Sequence, residues 1–442
     1  MKSTTFFTTL IIGALLLCSC GGGNRQAAAA NNEASETAVV ETTEIIPIEP
    51  AIIDIAGNLE NRKEFRLSDF GSSVRYIRLQ PPAGMEFTRI LNVLSDDDYI
   101  IINAAPGLFV YSADGEYLYT VYLNKLEPMG GGGVRVLDGI LDNIDLLNGI
   151  LLYRTFQRPS AAEARIQLNV FDMEKLPDNV QPAFQRELYP DRRSSGRFLL
   201  IDGHSYLIIG GLGTPSSTFT AISIQGDTLF NIHNHYQPTT TGNFARSAET
   251  IYRINGNLML QKQYNDTVFA LIPPNRIEPA FIMNWGDFKP DMNRLANGGT
   301  EEGKFVLRNW VETQRHIFIE YTEGRAFPSR WAEGNVRHHW AIFDKYAQTL
   351  THHYAPTGFP MREFSIPGMF SYQVPSLAFE NDIDPVGMPF FPQGVNHRGE
   401  MYMVFSKAQV QQQIATGKFN NSRLQALYNR MPEGSFYFMI VK

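Results

Sequence analysis

The sequence predicts an all-β fold, a six-bladed β-propeller with a short helical insertion in its last blade. Three observations carry that expectation. One unit of alternating apolar runs separated by turns recurs six times between Tyr99 and the C-terminus, at irregular spacing. Repeats of three or four strands at about this period indicate blades around an axis. The composition agrees: 36 Gly and 25 Pro punctuate a chain with 30 Phe and 19 Tyr, as many short strands between many turns require. Finally, a strand-like run, Val74-Arg75-Tyr76-Ile77-Arg78-Leu79, precedes the first full unit and is free to complete the last blade. A ring stitched by both chain ends leaves only short edges.

The chain opens on Lys2 and an apolar run from Phe6 to Leu17, interrupted by Thr8, Thr9 and Gly13. Roughly 12 residues are too few to cross a bilayer, which takes about 20. A basic start, an apolar run and a small residue at its end read as a secretory signal peptide. The closing Leu17-Cys18-Ser19-Cys20 is similar to a bacterial lipoprotein signal, cut after Ser19, with Cys20 the lipidated first residue. Cys18 suits modification less well, because Leu17 stands where a small residue is wanted. Both cysteines are then used in the signal, so disulfides, thiol catalysis and thiolate metal sites are excluded from the body. The expected anchor is the lipid bilayer, through Cys20.

Residues 21–50 run from Gly21-Gly22-Gly23 through Ala27–Ala30 into a mixture of Glu, Thr, Asn and Ser without aromatics. Such a segment cannot bury a core and is read as a disordered tether. The domain plan is a signal peptide at 1–19, the lipidated cysteine and tether at 20–55, and the propeller at 56–442. About 30 flexible residues give a reach of roughly 30 Å. The stretch after Cys20 lacks an acidic run, which favours the periplasmic side of the outer membrane over the cell surface.

The clearest repeat is Tyr99-Ile100-Ile101-Ile102, Gly107-Leu108-Phe109-Val110-Tyr111, then Asp114-Gly115 before Tyr117–Val121. Asp-Gly between alternating runs signals a tight hairpin, because Gly supplies positive φ cheaply. Later copies start at Gly149, Tyr206, Asn257, His316 and Gly399, the last ending in Phe436–Ile440. Within that copy Lys407 to Arg430 is polar with helical spacing, and one or two short helices are expected there.

Four segments, taken in order, resemble Bacteroidetes envelope lipoproteins with six-bladed, TolB-like propellers. They are Phe65–Ser68 with Val74–Leu79; Leu108–Tyr111 with Asp114–Leu118; Tyr264–Phe269 followed by Asn284-Trp285-Gly286; and Asn381–Asp384 through Pro389–Pro392. The resemblance covers residues 65–442. It departs at Glu127-Pro128-Met129 with Gly130–Gly133, and at Pro385-Val386-Gly387. The resemblance implies the fold and supplies no catalytic residues.

Few constellations carry chemistry. Gly130–Gly133 lacks a following Lys-Ser/Thr and does not join a strand to a helix, so it is no phosphate loop. Asn381, Asp382 and Asp384 form a candidate ligand-binding group: two carboxylates on one side of an extended segment, beside an amide. They could hold Ca²⁺, a hard ion wanting six to eight oxygens, or cap a turn through backbone N–H groups. No resident cofactor or metal is expected otherwise. His338-His339 and His352-His353 face each other on a hairpin around Lys345–Gln348. Adjacent strand residues point to opposite faces, so one from each pair can meet. Two imidazoles alone make a poor zinc site, and these residues are read as polar and outward-facing. His233-Asn234-His235 is equally unsupported. Tyr252, Trp285, Trp310, Trp331, Trp340 and Phe391 are read mainly as packing residues, with Trp285 taken as a candidate ligand contact.

The net charge of −7 becomes −8 when Lys2 leaves with the signal. This argues against nucleic acid as a partner. Three functional classes stay open. One is a binding or scaffold domain for a glycan, a peptide or an envelope protein at the mouth of the ring. Another is a propeller-face enzyme, a lyase or glycoside hydrolase, built from residues of several blades. The third is a purely structural assembly subunit, which would show a large apolar patch on the rim.

Overall fold

In the computed structural model the described residues are 49–442, apart from 88, 106, 124–125, 129–133, 137–139, 158–164, 176–183, 189–197, 202–204, 210–218, 224–226, 233–249, 255, 262–265, 273–275, 292–301, 325–335, 355–360, 366–370 and 418–420. Among the described residues, six sheets of four or five strands are built mainly by antiparallel pairing of consecutive strands and are labelled I to VI. Sheet I holds Arg89–Ser95, Tyr99–Ala105, Gly107–Ser112 and Tyr117–Leu123. Sheet II holds Ile140–Leu147, Ile150–Gln157, Arg165–Asp172 and Phe184–Leu188. Sheet III holds Phe198–Leu200, Ser205–Ile209, Phe219–Ser223 and Thr228–Ile232. Sheet IV holds Thr250–Ile254, Asn257–Gln261, Thr267–Ile272 and Arg276–Asn284. Sheet V holds Phe305–Glu312, His316–Glu323, His338–Asp344 and Thr349–His353. Sheet VI holds Gly394–Val395, Met401–Ser406 and Phe436–Val441, closed by Val74–Leu79 on its outer edge.

Strand periodicity explains how these sheets stack. Successive side chains point to opposite faces. Ile100 and Ile102 therefore pack towards sheet VI, with Phe438 and Ile440, while Ile101 between them packs towards sheet II, with Leu151 and Phe171. In sheet V, Phe318 joins the core shared with sheet VI, and Ile317 and Ile319 join the core shared with sheet IV. A strand apolar on both faces is what a sheet needs when it is sandwiched between two others. Further apolar cores join III to IV. Sheets II and III meet through a buried polar contact: the Leu200 N–H donates to Asp145 Oδ2 at 2.7 Å. The first strands of neighbouring sheets lie against each other, so they are innermost. This is an all-β propeller.

The N-terminal segment runs along the outer edges in order. Ala51–Asp54 adds to sheet IV, parallel to Arg276–Asn284, with Ile53 fully buried. Arg62–Lys63 adds to sheet V, parallel to His352-His353. Val74–Leu79 then completes sheet VI as the sequence suggests. The span assigned to the tether, 20–55, therefore ends too late. Ala51–Asp54 belongs to the body, since Ile53 and Ile55, two places apart, are both fully buried there. Such a strand is too short to stand out in a Pro- and Thr-rich context.

Two helices follow Ser406, as expected: α1 Lys407–Thr416 and α2 Asn421–Arg430. Ser406 caps α1 by accepting from the Gln409 N–H, and Gln409 reaches back to the Ser406 N–H. Gly417 ends α1 at φ 66°, the left-handed conformation glycine tolerates best. Val410, Leu424 and Leu427 pin the pair to the core between sheets V and VI.

Candidate functional site

Connection lengths separate the two ends of the strands. First and second strands are joined by only two to five residues in every sheet. Third and fourth strands are joined by three or four residues in sheets I, III, IV and V and by 173–183 in sheet II, while in sheet VI they come from opposite ends of the chain. At the other end, crossings between sheets take 9 to 40 residues, and the second-to-third connection of sheet VI takes 29. The crossings include the hairpins Leu126–Pro128/Val134–Val136 and Met361–Ser365/Ser371–Pro375. Short turns of neighbouring sheets meet at the same end: His397 Nε2 in sheet VI lies 2.7 Å from Asp97 Oδ1 in sheet I. The long connections, including α1 and α2, thus gather at the opposite end. Variable loops on a rigid scaffold are where binding groups are usually carried.

The inner strands beneath those connections share an irregularity. The register shifts at Ile90/Asn92 in sheet I, Leu141/Asn143 in sheet II and Leu307/Asn309 in sheet V. Each shift bulges one residue, Leu91, Asp142 or Arg308, just before an asparagine. Bulges re-aim side chains and gather next to active sites. The three asparagines face Asn103, Arg154 and Glu320 on the second strands, all three of them buried.

Sheet V is the most developed. Arg308 and Glu320 form an ion pair at 2.6 Å with side chains only 5% and 6% exposed. The guanidinium also lies 2.9 Å from His338 Nδ1 and donates to Ser376 Oγ at 3.1 Å. Burial pulls the Arg308 pKa down, and Glu320 opposes that shift. Alongside, the Tyr321 hydroxyl lies 2.7 Å from His352 Nε2, and its ring stacks on His339, which reaches Glu323 Oε1 at 3.1 Å. One histidine from each pair thus meets the same tyrosine. His352 and His353 are not outward-facing: Arg62–Lys63 pairs over them, and the Phe65 N–H donates to His353 Nδ1 at 3.1 Å. Burial pulls both imidazoles down to about 4.

Towards the short-turn end, Glu312 accepts from Lys345 at 2.9 Å and from Tyr252 OH at 2.5 Å, and Trp310 Nε1 donates to Tyr252 OH at 2.7 Å. Burial, then Glu312, push the Tyr252 pKa up. Arg253 holds Asp145 through two bonds of 2.6 Å, tying sheet IV to sheet II.

The Asn381 group behaves as a turn clasp. Asn381 is buried. Its Oδ1 accepts from the Ile383 and Asp384 N–H groups, and its Nδ2 donates to Asp384 Oδ2 at 2.5 Å. Asp384 Oδ1 accepts from the Val386 and Gly387 N–H groups, and Oδ2 from Tyr76 OH at 3.0 Å. Asp382 accepts from the Ser68 N–H and hydroxyl. These carboxylates tie the loop to the N-terminal segment, and their oxygens are already engaged. Trp285 corrects the reading of it as a ligand contact. It is 2% exposed, with its ring edge-on to Phe305 and Tyr321 in the core between sheets IV and V. Trp310, Trp340 and Phe391 are buried likewise. Cys20, Gly130–Gly133, Trp331 and His233–His235 lie outside the described residues. Among the described residues, no three His, Cys, Asp or Glu side chains converge on a metal position. Nor is any helix there long and apolar enough to cross a membrane.

Residues 40–416 match a family described as a domain of unknown function, DUF4933. The chain belongs to that family. A comparison with curated proteins finds no match. Among solved structures, a Bacteroides fragilis protein described as exported is 13% identical and superposes at a TM-score of 0.53, over 88% of this chain and 99% of its own. That likeness shows the fold. A DUF4221 member from Bacteroides vulgatus gives 8% identity and a TM-score of 0.42 over 84% and 99%. Virginiamycin B lyase from Staphylococcus aureus gives 9% and 0.38 over the same shares. The family membership and the fold likeness agree with the expectation of a propeller in a family without an assigned reaction.

Proposed function

We propose that the chain is an outer-membrane lipoprotein, anchored through Cys20, whose six-bladed propeller binds a glycan, a peptide or another envelope protein at its long-connection end. The periplasmic side of the membrane is favoured. The observation that carries this reading is the inequality of the two ends: nearly all connections of two to five residues gather at one, and those of 9 to 40, apart from 173–183, at the other. A protein serving only as a rigid spacer has no need of that asymmetry. The six sheets, and the core shared by sheets VI and I, support a ring of six blades. The lipobox, the exported neighbour and the lack of a membrane-spanning helix among the described residues support the anchor.

Two measurements test it. Metabolic palmitate labelling of the full chain is expected to give a membrane-bound, labelled protein, and Cys20→Ser an unlabelled one; labelling that survives the substitution would overturn the anchor. Crosslinking of the tether-free body to purified envelope glycans and envelope proteins is expected to map to the long connections. Crosslinks confined to the short-turn end would overturn the binding face.

A further inference from the structure

We propose that the bulged inner strands form a site for a neutral, hydroxyl-rich ligand, a glycan segment, recognised by the carboxamides of Asn92 and Asn309. The proposal rests on the reading of this chain as a binding protein and names the ligand class.

The geometry is repeated. In three sheets the inner strand shifts register immediately before an asparagine: Ile90-Leu91-Asn92, Leu141-Asp142-Asn143 and Leu307-Arg308-Asn309. A single bulge can be an accident of local packing. The same bulge at the same height with the same following residue, in strands otherwise different in sequence, points to a shared task. An inner strand has its second strand on one edge and neighbouring sheets over both faces. A side chain exposed in the middle of it therefore faces the channel. Asn92 is exposed and Asn309 half-exposed. Asn143 holds the same register position, opposite Arg154. The bulges fall in the first half of each strand, which is the half nearest the long connections.

The chemistry then selects the ligand. A carboxamide offers two donors and an acceptor without net charge, matching a hydroxyl that both gives and receives. Beside Asn309 the buried Arg308 charge is neutralised: Arg308 is paired with Glu320 and also contacts His338 and Ser376. The body is acidic overall. An anionic ligand would meet no free cation at Arg308 and a repelling field around it, whereas a neutral polyol meets complementary dipoles.

The test is calorimetric titration of the mature chain with maltohexaose, mannohexaose and chitohexaose, with hexagalacturonate as the anionic control. At least one neutral hexasaccharide is expected to bind, and the acidic one not. Asn92→Ala and Asn309→Ala are expected to weaken binding about threefold to tenfold each, with an unchanged melting midpoint, since exposed asparagines carry little of the fold. Should Asn309→Ala unfold the chain, Asn92→Ala alone serves, because that side chain is exposed. Absence of binding by every neutral hexasaccharide at millimolar concentration overturns the proposal, as does unchanged affinity in the variants or preference for hexagalacturonate. The crosslinking test of the binding face is scored separately, so a protein partner found there with no sugar bound removes this inference and leaves that reading standing.

Discussion

Removing one partner of the Arg308–Glu320 pair tests the view that sheet V is organised around a buried charge. The two side chains are 5% and 6% exposed and meet at 2.6 Å. With an effective dielectric constant near 20, charges about 4 Å apart attract by about 4 kcal/mol. Glu320→Gln keeps the shape and removes the charge, leaving the buried guanidinium without its carboxylate counter-charge. Breaking a buried pair in this way costs about 3–5 kcal/mol. Replacing both partners with apolar residues, Arg308→Met with Glu320→Leu, removes the desolvation cost as well and is expected to be near neutral. Urea unfolding followed by tryptophan fluorescence reads both, because Trp310 and Trp340 lie in the same sheet. A loss below about 1 kcal/mol in Glu320→Gln, the level of an exposed pair, would refute the buried-charge reasoning. So would a double variant as unstable as the single one.

Two further outcomes follow from the same geometry. Burial lowers His352 and His353 from the ordinary 6.5 to about 4, so the unfolded chain takes up their protons first. Their contribution is full above about pH 6.5, declines as pH falls towards 4, and is lost below it; each is expected to contribute about 3 kcal/mol to that slope. Urea midpoints between pH 7 and 4 should therefore fall more steeply in wild type than in His353→Gln, and equal slopes would contradict the burial argument. Asp384→Ala frees two N–H groups, the Tyr76 hydroxyl and Asn381, and is expected to cost about 1–3 kcal/mol. Millimolar Ca²⁺ is expected to leave the wild-type melting midpoint unchanged, because the carboxylate oxygens already have partners; a rise would restore the metal reading of that loop.

The outer parts of the sheets were legible because they obey simple periodicity. Tyr99–Ala105 and Gly107–Ser112 read as strands from apolar runs bounded by turns, and Asp114-Gly115 marked their hairpin partner, with Gly115 at φ 88°. The inner strands were not legible. Ile140–Leu147 reads Ile-Leu-Asp-Asn-Ile-Asp-Leu-Leu, and a bulge breaks its alternation after Leu141. Of its polar residues, Asp145 is buried and held by Arg253 and the Leu200 N–H. The recurrence of an asparagine two places after an aliphatic residue was the available signal. Arg308 and Glu320 gave none, since nothing in their spacing distinguishes a buried pair from two solvated charges. The histidine pairs were half legible. Adjacency correctly sent neighbours to opposite faces, but only the strand Arg62–Lys63, brought from nearly 300 residues away, buries His352 and His353.

Hydrogen–deuterium exchange on the mature chain, with and without a saturating envelope ligand, tests the central claim most directly. Binding at the long-connection end is expected to slow exchange at residues 361–375, at 407–435 and around the bulges at Asn92 and Asn309. Slowing confined to the short turns at 148–149, 313–315 and 345–348, with the long connections unchanged, would contradict it.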